Sequence, residues 1–557
     1  MTPLHGLLQK LYPNQHRELF NQITELINQE QMASDSHPLS EDDVIMITYG
    51  DSLIAPQQKP LQTLKDFMET RVQSVISNIH ILPMFPYSSD DGFSVIDYST
   101  IDPALGTWQD IDRLSEQFGL MFDAVINHIS AKSPWFQSFL AGDPKYKDYF
   151  IECDPALDYR SVVRPRALPL YYEYKAHDGV KTIWATFSKD QVDLNYQSPE
   201  VLLEVLKVLA LYVHHGARFI RLDAVGFLWK KVGTSSIHLP ETHMLVQIIR
   251  QVLTAIQPDV KIITETNVPH EENISYFGNG SNEAHMVYQF PLPPLVLHTF
   301  IREDARPLLA WADSLKAPNL EGSSTYFNFL ASHDGIGMRP VEDILNEEDR
   351  EAMIQHVLNH GGQISYKTNS DGSQSAYELN INYLDALCDP ADSLEIRVKK
   401  GLAAHALLLA FKGVPGIYVH SLLGSTSDFD GMKKSGIPRR INREKLKVSE
   451  VKKALDDPHS FRAQMFSGLK KLLKIRKNHP AFSPYAKQTI HHYDSRIVAF
   501  TRAMPEDAAI LVCINVASVP VTMDAPFKTG LDLVGGTSLT DQIVLAPYQY
   551  RWIKILT

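Results

Sequence analysis

Cysteine is scarce in these 557 residues: Cys153, Cys388 and Cys513 stand far apart and show no CxxC spacing. They build neither a disulfide framework nor a closed zinc site on their own, and a reduced cytoplasmic setting is the simplest expectation. No apolar run is long enough to cross a membrane, because Gly401 to Gly424 is broken by His405, Lys412, Pro415 and His420 and reads as a helix followed by a strand. The opening MTPLHGLLQKLYPNQ lacks the charged start and unbroken apolar core of a secretion signal. Positive charge is also short. With 53 Lys+Arg against 65 Asp+Glu the net charge is -12, so there is no nucleic-acid footprint and an anionic ligand must find a local basic pocket. Motifs of the types GxxxxGK[ST], HExxH and GxGxxG do not occur, which leaves nucleotide, zinc-peptidase and dinucleotide chemistry without support and predicts neither a cofactor nor a metal.

What the chain has is core-forming material, 44% hydrophobic and 10% aromatic. A short apolar strand, a polar tip and a helix-like stretch recur along it. Eight candidate strands can be marked: Val44 to Tyr49, Ile79 to Met84, Leu120 to Asn127, Phe219 to Val225, Lys261 to Thr266, His285 to Phe290, Tyr326 to Ser332 and Gly416 to His420. Runs such as FIRL and KIIT suit parallel strands buried on both faces, and the predicted fold class is α/β, a (β/α)8 barrel. Between the third and fourth strands Ser198 can cap a helix, Pro199 can fill its first turn and Gly216 can end it. Three segments fall outside the repeat. Residues 1–42 read as a helical N-terminal extension, 130–195 as an inserted lid domain after the third strand, and 486–557 as an all-β C-terminal domain, leaving 43–129 and 196–485 for the barrel.

The barrel expectation makes the strand ends the place to look, since the carboxyl ends of the strands form the reactive face. DAVINH (Asp123 to His128), RLDAVGF (Arg221 to Phe227), TETN (Thr264 to Asn267) and ASHDGIG (Ala331 to Gly337) lie there. A single carboxylate at a strand end is usually a helix cap or an ion pair. Asp223, Glu265 and Asp334 together, at the ends of the fourth, fifth and seventh strands, converge on one pocket with two histidines and an arginine. Paired carboxylates in a cleft suit glycosidic chemistry, one attacking the anomeric carbon and the other, kept protonated by burial, donating to the departing oxygen. Asp223 is then the nucleophile, held ionised by Arg221 two residues earlier on the same strand face, and Glu265 the acid and later the base. Asp334 binds hydroxyls and supports the oxocarbenium-like transition state, with His128 and His333 hydrogen-bonding the ring, while Asp123 orients Arg221.

The order and spacing of DAVINH, QVDLN, RLDAVGF, TETN and ASHDGIG resemble the α-amylase superfamily of retaining glycoside-active enzymes. RPRALP, DAVGF, GTSSIHL, FPLPPLVLH, HDGIG and RRINR are similar to its sucrose phosphorylase branch, over about Ile47 to Arg443. The N-terminal extension with SSDDGFSVIDY, SPEVLLEVL, ITETNVPH, EAHMVYQF and YFNFLASHDGIG looks most like the glucosylglycerate phosphorylases. That resemblance implies phosphorolysis: a β-linked glucosyl intermediate on Asp223, removed by inorganic phosphate as α-glucose 1-phosphate. It further implies that Asp90 and Arg443 pair and hold the far hydroxyls of glucose, that Phe93 is an apolar platform and that Gln191 contacts a hydroxyl. Arg166 in RPRALP and Tyr377 correspond to phosphate-side residues, and KTNSDGSQSAYELN (367–380) reads as a movable polar loop. Phe227 stands where the sucrose enzymes commonly carry tyrosine, which speaks against sucrose itself, and the overall resemblance implies glycerate as the acceptor before fructose, fructose 6-phosphate or glycerol. Arg339, Arg439 and Arg440 are spare cations for that acceptor's charge. The partners expected are a small-molecule glucoside and inorganic phosphate, with no nucleic acid and no membrane, in a monomer or homodimer. A hydrolase or transglucosidase with the same carboxylates is the first rival; a catalytically silent carbohydrate-binding barrel, which would lack Asp223 or Glu265, is the second.

Overall fold

The computed structural model describes residues 2–32, 37–166, 168–315, 324–368 and 373–556. Eight parallel strands close into a barrel: β1 (Ile45–Thr48), β2 (Asn78–Ile81), β3 (Gly119–Ala124), β4 (Ala217–Leu222), β5 (Lys261–Thr264), β6 (Met286–Tyr288), β7 (Thr325–Asn328) and β8 (Val414–Tyr418). Neighbours follow chain order around the ring, and β8 pairs β1 with Ile45 opposite Gly416. The strands are buried almost throughout, as expected of strands covered by helices outside and packed side chains within. Each predicted strand contains its observed counterpart for most of its length, but the structure ends the ladder before the polar tips. Asp223, Glu265 and Asp334 therefore stand just beyond β4, β5 and β7, on the loops of one face.

The N-terminal residues form two helices, α1 (Thr2–Leu11) and α2 (His16–Glu30), whose buried face carries Leu4, Leu8, Leu19 and Ile23. Tyr12 donates to the carbonyl of Tyr196 at 2.7 Å, docking the pair onto the barrel's outer layer. Helix α3 (Pro199–His214) opens on Pro199, but Ser198 donates to Glu200 at 2.7 Å and makes no side-chain cap on the backbone. Gly216 follows at φ +85°, where a Cβ would lie 2.4 Å from the Ser115 side chain, so the turn into β4 requires glycine.

The segment between β3 and α3 begins and ends in one antiparallel ladder, with His128 opposite Asp193 and Ser130 opposite Gln191. This ladder fixes His128 and Gln191 beside each other. Beyond it lie a helix (Pro134–Ala141), a hairpin (Tyr171–Ala176 with Gly179–Trp184) and a small apolar cluster of Cys153, Val162, Leu170 and Trp184. Ala167 of the RPRALP run lies outside the described residues. Towards the C-terminus Lys487–His491, Ile497–Ala503, Ile510–Asn515 and Tyr550–Ile555 pair in sequence as an antiparallel sheet with its own apolar face. The predicted loop 367–380 is mostly strand: Gln363–Thr368 pairs antiparallel with Gln374–Asn380, and residues 369–372 lie outside the described residues. Alternation in SAYEL, with Tyr377 and Leu379 on opposite faces from Glu378, is the period-two signal that polarity hid.

Candidate active site

Arg221 organises the floor of the pocket. Buried at the end of β4, it contacts Asp123 from β3 and Asp223 through one nitrogen, the latter at 2.8 Å, and its other nitrogen lies 3.9 Å from Glu265. Its planar cation also lies over the rings of Phe93 and Tyr288, at 5.7 and 5.5 Å. Asp123 is held from behind by His80 of β2, whose Nε2 donates at 2.7 Å. Burial alone would raise Asp123, but Arg221 and then His80 draw it below the usual carboxylate range, so it is a fixed counter-charge.

Asp223 and Glu265 face the same pocket. Burial raises the Asp223 carboxyl up to about 8, with Arg221 opposing and Glu265 adding to the rise, and burial raises Glu265 too. Two buried carboxyls this close titrate as a pair that shares a proton. The direct 2.8 Å contact from Arg221 gives the charge to Asp223, and the more distant Glu265 takes the proton. Glu265 is aimed by the backbone N–H of Ala224, 3.1 Å away, which the left-handed conformation of Ala224 (φ 48°) turns toward it.

Asp334 behaves differently. Arg439 meets it at 2.8 Å, and Arg439 and Arg443 overcome the effect of burial and hold it far below the ordinary range. His333 lies flat against Phe93, ring centroids 4.8 Å apart and planes within 4°, and burial lowers it to about 3, so it is neutral and hydrogen-bonds as an imidazole. Phe93 is thus spent on a stack with His333 as well as lining the cavity. His128 Nε2 donates to the Phe93 carbonyl at 2.9 Å, and Gln191 Nε2 donates to the same oxygen at 2.9 Å and to Asp90 at 3.3 Å.

Of the twelve site residues expected from sequence, eleven line this one cavity: Asp90, Phe93, His128, Arg166, Gln191, Arg221, Asp223, Glu265, His333, Asp334 and Tyr377. Arg443 does not. It is 2% exposed behind the wall, donating to the His333 carbonyl at 2.7 Å and to Asp91 at 2.5 Å. The expected Asp90–Arg443 pair is therefore corrected: Asp91 takes Arg443, and Asp90 takes Arg166 at 2.8 Å. Both aspartates have positive φ (55° and 48°), and Gly92, at φ +110°, sits where a Cβ would lie 2.9 Å from Pro83. This tight turn sends neighbouring carboxylates in different directions, which residue order alone does not reveal. Of the spare cations, Arg439 is committed to Asp334 and, by two bonds of 3.0 and 2.6 Å, to Glu378; Arg339 lines the cavity, whereas Arg440 does not. His80, Asp91, Glu378 and Asn267, which donates to Tyr377 at 3.4 Å, were missed as site residues. A histidine inside the apolar strand NIHI was the one visible signal for His80. Among the described residues no cluster of three or more His, Cys, Asp or Glu has metal-holding geometry, and no helix is long and apolar enough to cross a membrane.

Comparison with known proteins agrees with this geometry. The family described as "Alpha amylase, catalytic domain" matches residues 74–360. The chain is 48% identical over 516 residues to the glucosylglycerate phosphorylase of Allomeiothermus silvanus, covering 92% of this chain and 91% of that protein. It is 44% identical over 516 residues to the glucosylglycerate phosphorylase of Escherichia coli, covering 92% of each. Among solved structures, sucrose 6F-phosphate phosphorylase from Thermoanaerobacter thermosaccharolyticum superposes with a TM-score of 0.75 at 26% identity, covering 92% of this chain and all of that one.

Proposed function

The chain belongs to the α-amylase family and, within it, to the glucosylglycerate phosphorylases, and we propose on that basis that it moves a glucosyl unit reversibly between glycerate and phosphate by two displacements at Asp223. Asp223 attacks C1 of the α-glucoside and the C1–O bond to glycerate breaks. Glu265 gives its proton to that oxygen, so glycerate leaves as an alcohol and the sugar remains as a β-linked ester. A hydrogen phosphate oxygen then attacks C1 as its proton passes to Glu265, the ester carboxylate departs, and α-glucose 1-phosphate forms with net retention and Glu265 reprotonated. Asp334, kept ionised by Arg439, binds sugar hydroxyls and faces the positive charge that develops on the ring. His128, Gln191, His333 and Phe93 shape the glucose site, with Arg443 acting through Asp91 and the His333 carbonyl. Arg166 and Tyr377 serve the phosphate; in the pocket as described Arg166 rests on Asp90, so phosphate must draw it from that partner.

The observation that carries this reading is the unequal grip of one arginine on two carboxyls in one pocket, close on Asp223 and loose on Glu265. The glycerate acceptor is supported by relatives at 44–48% identity, against 26% for the solved sucrose 6F-phosphate enzyme. Three buried free cysteines are consistent with a cytoplasmic setting. The test is incubation with glucosylglycerate at rising phosphate: release of glucose 1-phosphate in proportion to phosphate supports phosphorolysis, and free glucose at a phosphate-independent rate refutes it.

A further inference from the structure

Four arginines line the cavity, and three already have carboxylates: Arg166 has Asp90, Arg221 has Asp123 and Asp223, and Arg439 has Asp334 and Glu378. Arg339, half-buried, has no ion pair and no side-chain hydrogen bond among the described residues. Its place is rigid. Ile336 and Gly337 pair with Leu379 and Glu378, Met338 N–H donates to the Tyr377 carbonyl at 3.0 Å, and Arg339 then opens a short turn whose Pro340 and Val341 are buried. The arginine is thus clamped to the strand bearing Tyr377. A carboxylate entering a cavity that already holds Asp90, Asp223, Asp334 and Glu378 is met at least cost by a cation that need not be drawn from a partner.

We propose that Arg339 reads the carboxylate of the acceptor, its planar fork gripping glycerate at the cavity wall formed by the Gln374–Asn380 strand. The assignment rests on the phosphorylase reading above and adds to it the residue that separates an anionic acceptor from a neutral one. Arg339 contacts neither the reacting carboxyls nor their partners, so it acts on acceptor choice and leaves glucosyl transfer to Asp223 and Glu265.

The experiment runs the reaction in reverse, supplying α-glucose 1-phosphate with either glycerate or glycerol, its uncharged analogue, and measuring inorganic phosphate released by the wild-type chain and by Arg339→Ala and Arg339→Lys. For Arg339→Ala the KM for glycerate rises roughly 10- to 150-fold, the range for one lost charge-assisted contact, while the rate with glycerol and the KM for glucose 1-phosphate are unchanged. Arg339→Lys retains part of the preference, because it keeps the charge and loses the fork. Thermal melting of each variant establishes that it is folded, and Arg339→Gln replaces Arg339→Ala if the latter is not. An unchanged glycerate-to-glycerol ratio in the folded variant overturns the assignment, and so does a loss confined to glucose 1-phosphate. A wild-type chain that transfers to neither acceptor, or prefers glycerol, instead refutes the glycerate phosphorylase reading itself.

Discussion

Two sets of buried or half-buried arginines sit at opposite ends of the barrel, and they are held in opposite ways. At the carboxyl ends of the strands Arg221, Arg439 and Arg443 each meet carboxylates, which keep their charge secure and raise their pKa against the pull of burial. At the amino ends, before β1 and β8, Arg476 and Arg502 meet only backbone carbonyls among the described residues. Arg476 donates to Leu409 at 3.0 Å and Phe482 at 3.1 Å, and Arg502 to Ala410 at 2.6 Å and Ser483 at 2.7 Å. Burial lowers Arg476 to about 10 and Arg502 to about 9. The first set tunes carboxylates for chemistry. The second ties the helix before β8 and the C-terminal sheet to the barrel, filling the Leu409 and Ala410 carbonyls at the end of that helix. A buried arginine is therefore informative about function only through what it touches.

The largest separation of the two ends comes from Asp223→Asn, which removes the nucleophile and lowers turnover by roughly four orders of magnitude or more, read as phosphate-dependent glucose 1-phosphate release. The same variant sharpens the electrostatic argument. The Asp223–Glu265 pair is raised in the fold, up to about 8 at Asp223, so the folded pair keeps a shared proton that the unfolded carboxyls have already lost; this contribution is complete at acid pH and is lost as pH rises through 8. Asn carries no such charge, so melting curves should show Asp223→Asn gaining stability over wild type as pH climbs from about 4 to 8, by about 1–3 kcal/mol. A stability difference that does not change with pH would contradict the raised carboxyl.

Next in size is Glu265→Gln, expected to slow glucosyl transfer from poor leaving groups about 10²- to 10⁴-fold and to spare activated donors. Equal loss with both donor types would remove the acid role. Arg502→Met tests the other end: it leaves the Ala410 carbonyl without a donor and lowers stability by about 1–3 kcal/mol, while kcat/KM per folded molecule is unchanged. An altered kcat/KM would break the division between the two ends. Smallest is Arg166→Ala, which raises the KM for phosphate roughly 10-fold with little effect on donor binding. If phosphate saturation is unaltered, the anion is held elsewhere.

The barrel and the paired carboxyls were legible because each rests on a local pattern: apolar runs of strand length and polar tips where such runs stop. What sequence could not supply was direction within a turn. Asp90 and Asp91 are adjacent and chemically identical, and only the positive-φ geometry around Gly92 determines that one meets Arg166 and the other Arg443. Likewise Arg339, Arg439 and Arg440 were equivalent in a list of residues, and became distinct when Glu378 and Asp334 were found to occupy Arg439. The hairpin carrying Tyr377 is hidden in sequence because its outer half is polar and exposed, and the buried end of its second strand is carried by Glu378 and Asn380 around a single apolar Leu379.

The most direct test traps the sugar on the enzyme. Glu265→Gln is mixed with an activated α-glucosyl donor, quenched rapidly, digested and examined by mass spectrometry, with and without phosphate added before the quench. The account predicts one glucosyl unit on the peptide containing Asp223, lost on adding phosphate as α-glucose 1-phosphate appears. An adduct on any other residue, or one that phosphate does not remove, would contradict it.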